Sequence, residues 1–162
     1  MKIIGLTGKS KVGRQFVADY LAFRGFVIIE CRDGLNTLLE RTRDFGIGEE
    51  ALEKSIRESA PYAFCNVIER LISEHGTCTD LIVIPDVLHE VEAQWVREHG
   101  HLWHISWNDD GDLLKPCEIE PIVSDHGTPD QIHAAIDDLI LSSLGIDFRK
   151  SVQERVLRTA EA

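Results

Sequence analysis

The chain contains no CxxC pair, no apolar run long enough to cross a membrane, and no N-terminal apolar region ahead of a cleavage site. Each absence excludes something. The four cysteines, at 31, 65, 78 and 117, are too scattered for a zinc or disulfide framework and read as reduced, structural thiols. Without a spanning segment or a signal peptide, the expected setting is cytoplasmic, with no membrane partner. Positive charge is also scarce, since 17 Lys and Arg stand against 28 Asp and Glu for a formal net charge of −11. That balance argues against a nucleic-acid partner, whose affinity is built on clustered cations. There is no internal repeat or low-complexity segment.

The shortage of cations is uneven. Residues 1–70 hold eleven Lys or Arg against ten acids, whereas residues 71–148 hold only Arg97 and Lys115 against sixteen; four further cations fall in residues 149–162. Cations facing a polyanionic substrate would therefore come mainly from the first half of the chain. With 162 residues, 43% of them hydrophobic, the chain is long enough for one globular domain with its own core.

The N-terminal stretch organises the rest. Residues 2–6 form a short apolar run with β-branched members, while Phe16, Val17, Tyr20, Leu21 and Phe23 recur at helical spacing. Between them lies Gly8-Lys9-Ser10-Lys11-Val12-Gly13. A strand feeding a helix through such a loop directs backbone N–H groups into one concavity at the positive end of the helix dipole, a ready phosphate site. The glycine spacing is that of a P-loop, but Arg14 and Gln15 stand where the pattern places Lys and then Ser or Thr. Arg14 can contact a phosphate as a broader cation. Gln15 offers an amide on a longer stem where a compact hydroxyl would ligate Mg²⁺. The simpler alternative is a βα turn that uses Gly8 and Gly13 for packing and binds nothing.

Further strands are expected at residues 26–30, 80–85, 101–107 and 122–123. Helices are expected at 33–44, with Asp33 as N-cap and Leu35, Leu38 and Leu39 inward, at 49–58, and at 61–75 with Tyr62 on its core face. Two more follow at 87–99 and from Thr128-Pro129-Asp130 to residue 144. The continuous Leu-Ile-Val-Ile run after Asp80 suits a central parallel strand covered on both faces, and it ends in Asp86. An acid there, beside a phosphate loop, is placed to order Mg²⁺; alternatively Asp86 caps the next helix. Alternating strands and helices imply an α/β fold with a mostly parallel sheet.

Three separated stretches carry a resemblance: IIGLTGKSKVGRQFVADYL, IPDVLHEVEAQWVREHGHLWHISW and CEIEPIVSDHGTPDQIHAAIDDL. Together they resemble bacteriophage-type deoxynucleoside monophosphate kinases and their relative dephospho-coenzyme A kinase, within the P-loop kinase superfamily. The resemblance implies a phage protein with a three-layer α/β/α fold and a five-stranded sheet in the order 2-3-1-4-5. It also implies ATP and Mg²⁺ as cofactors and phosphoryl transfer to a (deoxy)nucleoside monophosphate. Carried over residue by residue, Gly8, Lys9, Ser10, Lys11, Val12, Gly13, Arg14 and Gln15 would hold the donor phosphates. Arg14 and Asp86 would be catalytic, with Asp86 at the metal. Asp33 and Glu92 would face the acceptor, and Glu118, Gly127 and Thr128 match the third stretch; Arg57, outside the matched positions, could bind the acceptor phosphate or sit on a solvated helix face.

The departures share a chemical type. Phosphoryl transfer needs Lys, Arg and Mg²⁺ converging on the transferred group. Here the loop Lys is Arg14, its hydroxyl is Gln15, the strand-end Arg is Leu88, and the segment where a lid would supply arginines reads NDDGDLLKPC. Two functions are therefore expected to compete, a weak or lost nucleotide kinase and a degenerate kinase fold acting as a nucleotide-binding or protein-interaction module.

His99, His101 and His104 lie close together, and surface histidines are a simpler reading than a metal site. Residues 1–145 form the expected domain. Residues 146–162 read as a helical tail whose Phe148, Val152 and Val156 make a stripe suited to dock on the domain or on a second subunit of a homodimer.

Overall fold

The computed structural model describes residues 1–75, 80–106, 113–124 and 126–148. Five strands, β1 (Lys2–Thr7), β2 (Val27–Ile28), β3 (Leu81–Ile84), β4 (His101–Ser106) and β5 (Ile122–Ser124), form one sheet in the order β2-β3-β1-β4-β5. Every neighbouring pair is parallel, with Ile4 opposite Val83 on one side of β1 and Leu6 opposite Trp103 on the other. This is the α/β architecture and strand order that the resemblance implies.

Strand alternation builds two cores. Ile4, Leu6, Val83, Trp103, Ile105 and Val123 face one way, and there they meet α1 (Lys11–Phe23) through Val17 and Leu21 and α6 (Pro129–Leu144) through Ile132, Ile136 and Ile140. Ile3, Ile82, Ile84 and Leu102 face the other way. They pack against Leu35 of α2 (Asp33–Thr42), Phe64 and Ile68 of α4 (Ala63–His75), and Ala93 and Val96 of α5 (Glu90–His99). The short helix α3 (Glu49–Ser59) follows a single 3₁₀ turn at Arg43–Phe45. Gly5 lets α5 approach β1, because a Cβ there would lie 2.7 Å from a Val96 methyl.

Several local expectations are corrected. Arg32, not Asp33, is the N-cap of α2, and α4 begins after Pro61 and Tyr62, which sit in the turn before it. Leu38, Tyr62 and Phe23 point to solvent, with Phe23 80% exposed. Helical periodicity marks a face but not its width, so Leu38 and Phe23 fall outside the buried stripe, and Tyr62 precedes its helix altogether. The segment after β3 runs as turn and loop to His89, the N-cap of α5, so Asp86 caps no helix. At α6, Thr128 accepts from the Gln131 N–H and Pro129 occupies the first turn, as the sequence implies. No helix among the described residues is long and apolar enough to cross a membrane. Of the tail, Ile146 and Phe148 pack on the first core, and residues 149–162 lie outside the described residues, as do Trp107 and the first half, 108–112, of the acidic 108–117 loop.

Candidate functional site

In a parallel sheet all strands end at one edge, so Gly8, which follows β1, and Asp86, which follows β3, come to the same side of the molecule. This is where open α/β sheets place ligands, at the point where crossovers diverge from a central strand. Gly8 adopts φ +147°, and a Cβ there would lie 2.2 Å from the Ile105 carbonyl oxygen, so the turn tolerates only glycine.

The chain enters α1 after only Lys9 and Ser10. Ser10 is the N-cap, and its hydroxyl accepts from the Gly13 N–H at 3.1 Å. That cap satisfies one of the four N–H groups a helix start leaves free, and one that a phosphate would otherwise meet. Lys9, Lys11 and Val12 are exposed, with Val12 pointing its isopropyl group into solvent.

Arg14 is buried, and its guanidinium turns back onto the backbone. Nε donates to the Pro85 carbonyl at 2.9 Å, and Nη1 donates to the Gly8 carbonyl. The side chain thus bolts the glycine-bounded loop after β1 to the end of β3. Burial lowers the Arg14 pKa, with the Asp86 charge opposing and the Arg32 charge adding to that fall.

Asp86 is similarly engaged. One carboxylate oxygen accepts from the Cys31 N–H at 2.8 Å and the other from the Arg32 N–H at 3.1 Å. These bonds tie β3 to the chain leaving β2. Burial raises the Asp86 pKa above the ordinary aspartate value even though those N–H groups pull it down. Glu30, close by, is raised too, first by burial and then by the charges of Asp86 and Asp33.

Gln15 donates along the helix to Asp19 at 2.7 Å, an ordinary surface pair one turn apart. Lys11, Arg14, Gln15, Glu30, Arg32, Pro85, Asp86 and Leu88 line a cleft of about 110 Å³. Ligand pockets commonly span roughly 300–1,000 Å³, so this cleft by itself matches a phosphate-sized group. For Mg²⁺ the cleft offers Asp86, whose two oxygens each accept one N–H bond, while Gln15 is paired with Asp19 and no Ser or Thr is among the cleft-lining residues.

The residues expected at the acceptor are held elsewhere. Asp33 is exposed in the first turn of α2. Arg57 and Glu92 do meet, but with each other, at 2.5 Å. Glu92 is 1% exposed and also accepts from the His89 N–H at 2.9 Å. Arg57 further donates to Glu53 at 3.0 Å and lies over the Phe64 ring at 4.1 Å. Arg32 reaches the other Glu53 oxygen and pairs with Glu49 at 3.2 Å, so a continuous ionic chain links the cleft to α3 and α5.

A second charged cluster escapes sequence reasoning. Glu120, two residues beyond the acid matched in the third stretch, accepts from Arg97 at 2.6 Å, from the Cys117 N–H at 2.8 Å and lies 2.8 Å from the buried His104. These contacts overcome its burial and hold the Glu120 pKa down at about 2. Glu118 itself is exposed. His104 is therefore an interior residue, while His99 stacks on Trp95 at 4.3 Å and His101 faces solvent. Nothing local in the sequence separates Glu118 from Glu120; the parallel pairing of β4 with β5, begun by the His104 N–H donating to the Pro121 carbonyl, brings that loop across.

No protein-family model matches the chain, and a search of curated proteins finds no match.

Proposed function

We propose that this chain is a catalytically degenerate P-loop kinase-like protein, in which the phosphate loop has become a structural joint and phosphoryl transfer to a (deoxy)nucleoside monophosphate is lost or very slow. One observation carries the reading. The Arg14 guanidinium, at the position where the resemblance expects the phosphate-binding cation, donates to the Gly8 and Pro85 carbonyls. A cation already bonded at close range to two buried carbonyls has little to gain by turning to a phosphate, since leaving them unpaired costs about 1–3 kcal/mol each.

The neighbouring groups support the same conclusion. Asp86 serves two backbone N–H groups, Arg57 serves Glu53 and Glu92, and Leu88 presents an apolar side chain to the cleft. What remains for an anion among the described residues is Lys11, the exposed Lys9, the unpartnered Nε of Arg32 and the N–H groups at the start of α1, which supports weak, phosphate-only contact. The competing reading, an active nucleotide kinase, is favoured by the strained Gly8 turn and by the cleft at the sheet edge.

Calorimetric titration with ATP and Mg²⁺ separates the two. The degenerate reading expects a Kd of about 1 mM or weaker, near −4 kcal/mol. Binding in the micromolar range sinks it.

A further inference from the structure

We propose that the groove between the turn before α4 and the outer face of α5 binds a small alkylammonium cation. The site is separate from the sheet-edge cleft, and the proposal does not depend on whether that cleft takes a phosphate.

Tyr62, Glu90, Val91, Gln94, Trp95 and Glu98 line a groove of about 340 Å³. Ligand pockets commonly span roughly 300–1,000 Å³, so a small organic ion fits. Positions 91, 94, 95 and 98 recur at helical spacing on one face of α5, while Tyr62, 67% exposed, comes from the turn that precedes α4. Two aromatic rings and two carboxylates thus share one concavity, and no Lys or Arg is among the residues that line it.

The Trp95 ring is fixed before any ligand arrives. Its Nε1 donates to Glu69 of α4 at 3.0 Å, and the His99 ring, one turn further along α5, stacks on it at 4.3 Å with 17° between the planes. His99 is held in turn, with Nδ1 2.7 Å from the Trp95 carbonyl oxygen. Because its N–H is already satisfied, the indole offers a ligand its π surface, and a ring locked in place loses little freedom on binding.

Charge selects the ligand. Aromatic faces carry the negative end of a quadrupole and attract cations, alkylated ammonium groups above all. The carboxylates act in the same sense. Glu98 accepts a neutral amide N–H from Gln94 at 2.9 Å and keeps its charge at the rim, and Glu69 brings a further carboxylate to the indole N–H. Glu90 is partly offset by Arg97 at 2.5 Å. A metal ion is a poorer fit, since among the described residues no three carboxylate, imidazole or thiol groups converge to ligate one.

Calorimetric titration of the full-length protein compares choline with dimethylbutanol, the uncharged isostere in which carbon replaces the quaternary nitrogen. Choline is expected to bind saturably with a Kd of about 1–10 mM. The isostere should bind about fivefold more weakly or worse, because it keeps the shape and loses the attraction to the rings. Tyr62→Leu should weaken choline binding several-fold, Tyr62→Phe should retain it, and Glu98→Gln should weaken it without altering the aromatic walls. Both positions are exposed, and circular dichroism checks that each variant folds. Equal affinity for choline and its isostere overturns the proposal in favour of a merely apolar groove. It is also overturned if choline does not bind saturably, or if Tyr62→Leu binds it as the parent does.

Discussion

Arg14 Nε donates to the carbonyl of Pro85 at 2.9 Å, joining the first turn of α1 to the end of β3 across 71 positions of sequence. Together with the Nη1 contact to Gly8, this makes Arg14 part of the architecture of the sheet edge. Replacing it by Met keeps most of the aliphatic stem and removes both bonds. Hydrogen bonds to charged groups contribute about 1.5–3 kcal/mol, so Arg14→Met should lower unfolding free energy by roughly 2 kcal/mol or more. Urea unfolding checks this, and an unchanged midpoint means the side chain is free to serve a ligand.

That contact also marks where sequence reasoning ends. The α/β class was legible in the βα alternation of apolar runs, while the strand order, which brings Gly8 and Asp86 to one edge, was implied by the resemblance of the three stretches. What Arg14 and Asp86 bond to was not legible. Asp86 reaches N–H groups 54 and 55 positions away, and no periodicity encodes which backbone group a side chain will find. The departures at Arg14, Gln15 and Leu88 raise the expectation of a weakened phosphate clamp, while the Glu120 cluster carried no local signal. Leu38 was misassigned because an apolar residue at the edge of a helical stripe reads like one at its centre, and Tyr62 because the helix begins one residue later.

Arg57 and Glu92 form an ion pair whose carboxylate is almost wholly buried. Removing one partner leaves an uncompensated charge, and such losses run to about 3–5 kcal/mol. Arg57→Met alone should therefore be strongly destabilising, whereas adding Glu92→Gln should recover a large part of the loss. A double-mutant cycle measures the coupling, and additive single effects would mean that the pair is not formed in solution.

Glu120 sets a pH dependence. Its carboxyl sits near pKa 2 when folded, against an ordinary value of 4.5, because Arg97, the Cys117 N–H and His104 favour the ionised form. A depressed carboxylate pKa contributes stability that is fully present above the unfolded value and is lost as pH falls through 4.5 toward 2. The shift corresponds to at most about 3 kcal/mol at 1.36 kcal/mol per unit. Glu120→Gln should lower stability at neutral pH and flatten its decline between pH 4.5 and 2. Asp86 and Glu30, raised by burial, work in the opposite sense, since protonation on acidification relieves an unfavourable buried charge. A variant whose acid limb remains as steep as the parent would remove Glu120 as its source.

Repair of the clamp should proceed in steps. Arg14→Lys with Gln15→Thr restores a slender phosphate cation and an Mg²⁺ hydroxyl, so ATP·Mg²⁺ affinity should rise about tenfold or more, close to 1.4 kcal/mol. Part of that gain is offset by the lost Pro85 contact, visible as lower thermal stability. Adding Leu88→Arg places a cation at the cleft wall and should be needed before turnover appears, because groups that act together fail together. If the double substitution binds no better than the parent, the loop itself is closed to phosphate.

The most direct test is a coupled assay of ADP release by the unmodified protein with ATP, Mg²⁺ and a panel of nucleoside and deoxynucleoside monophosphates. Loss of a single preorganised charge contact commonly lowers the rate by about a hundredfold or more. With Arg14 held by carbonyls, Gln15 paired to Asp19 and an apolar Leu88, release should stay at background for every acceptor. Transfer to any one of them at ordinary kinase rates, roughly 1–100 s⁻¹, would contradict the account.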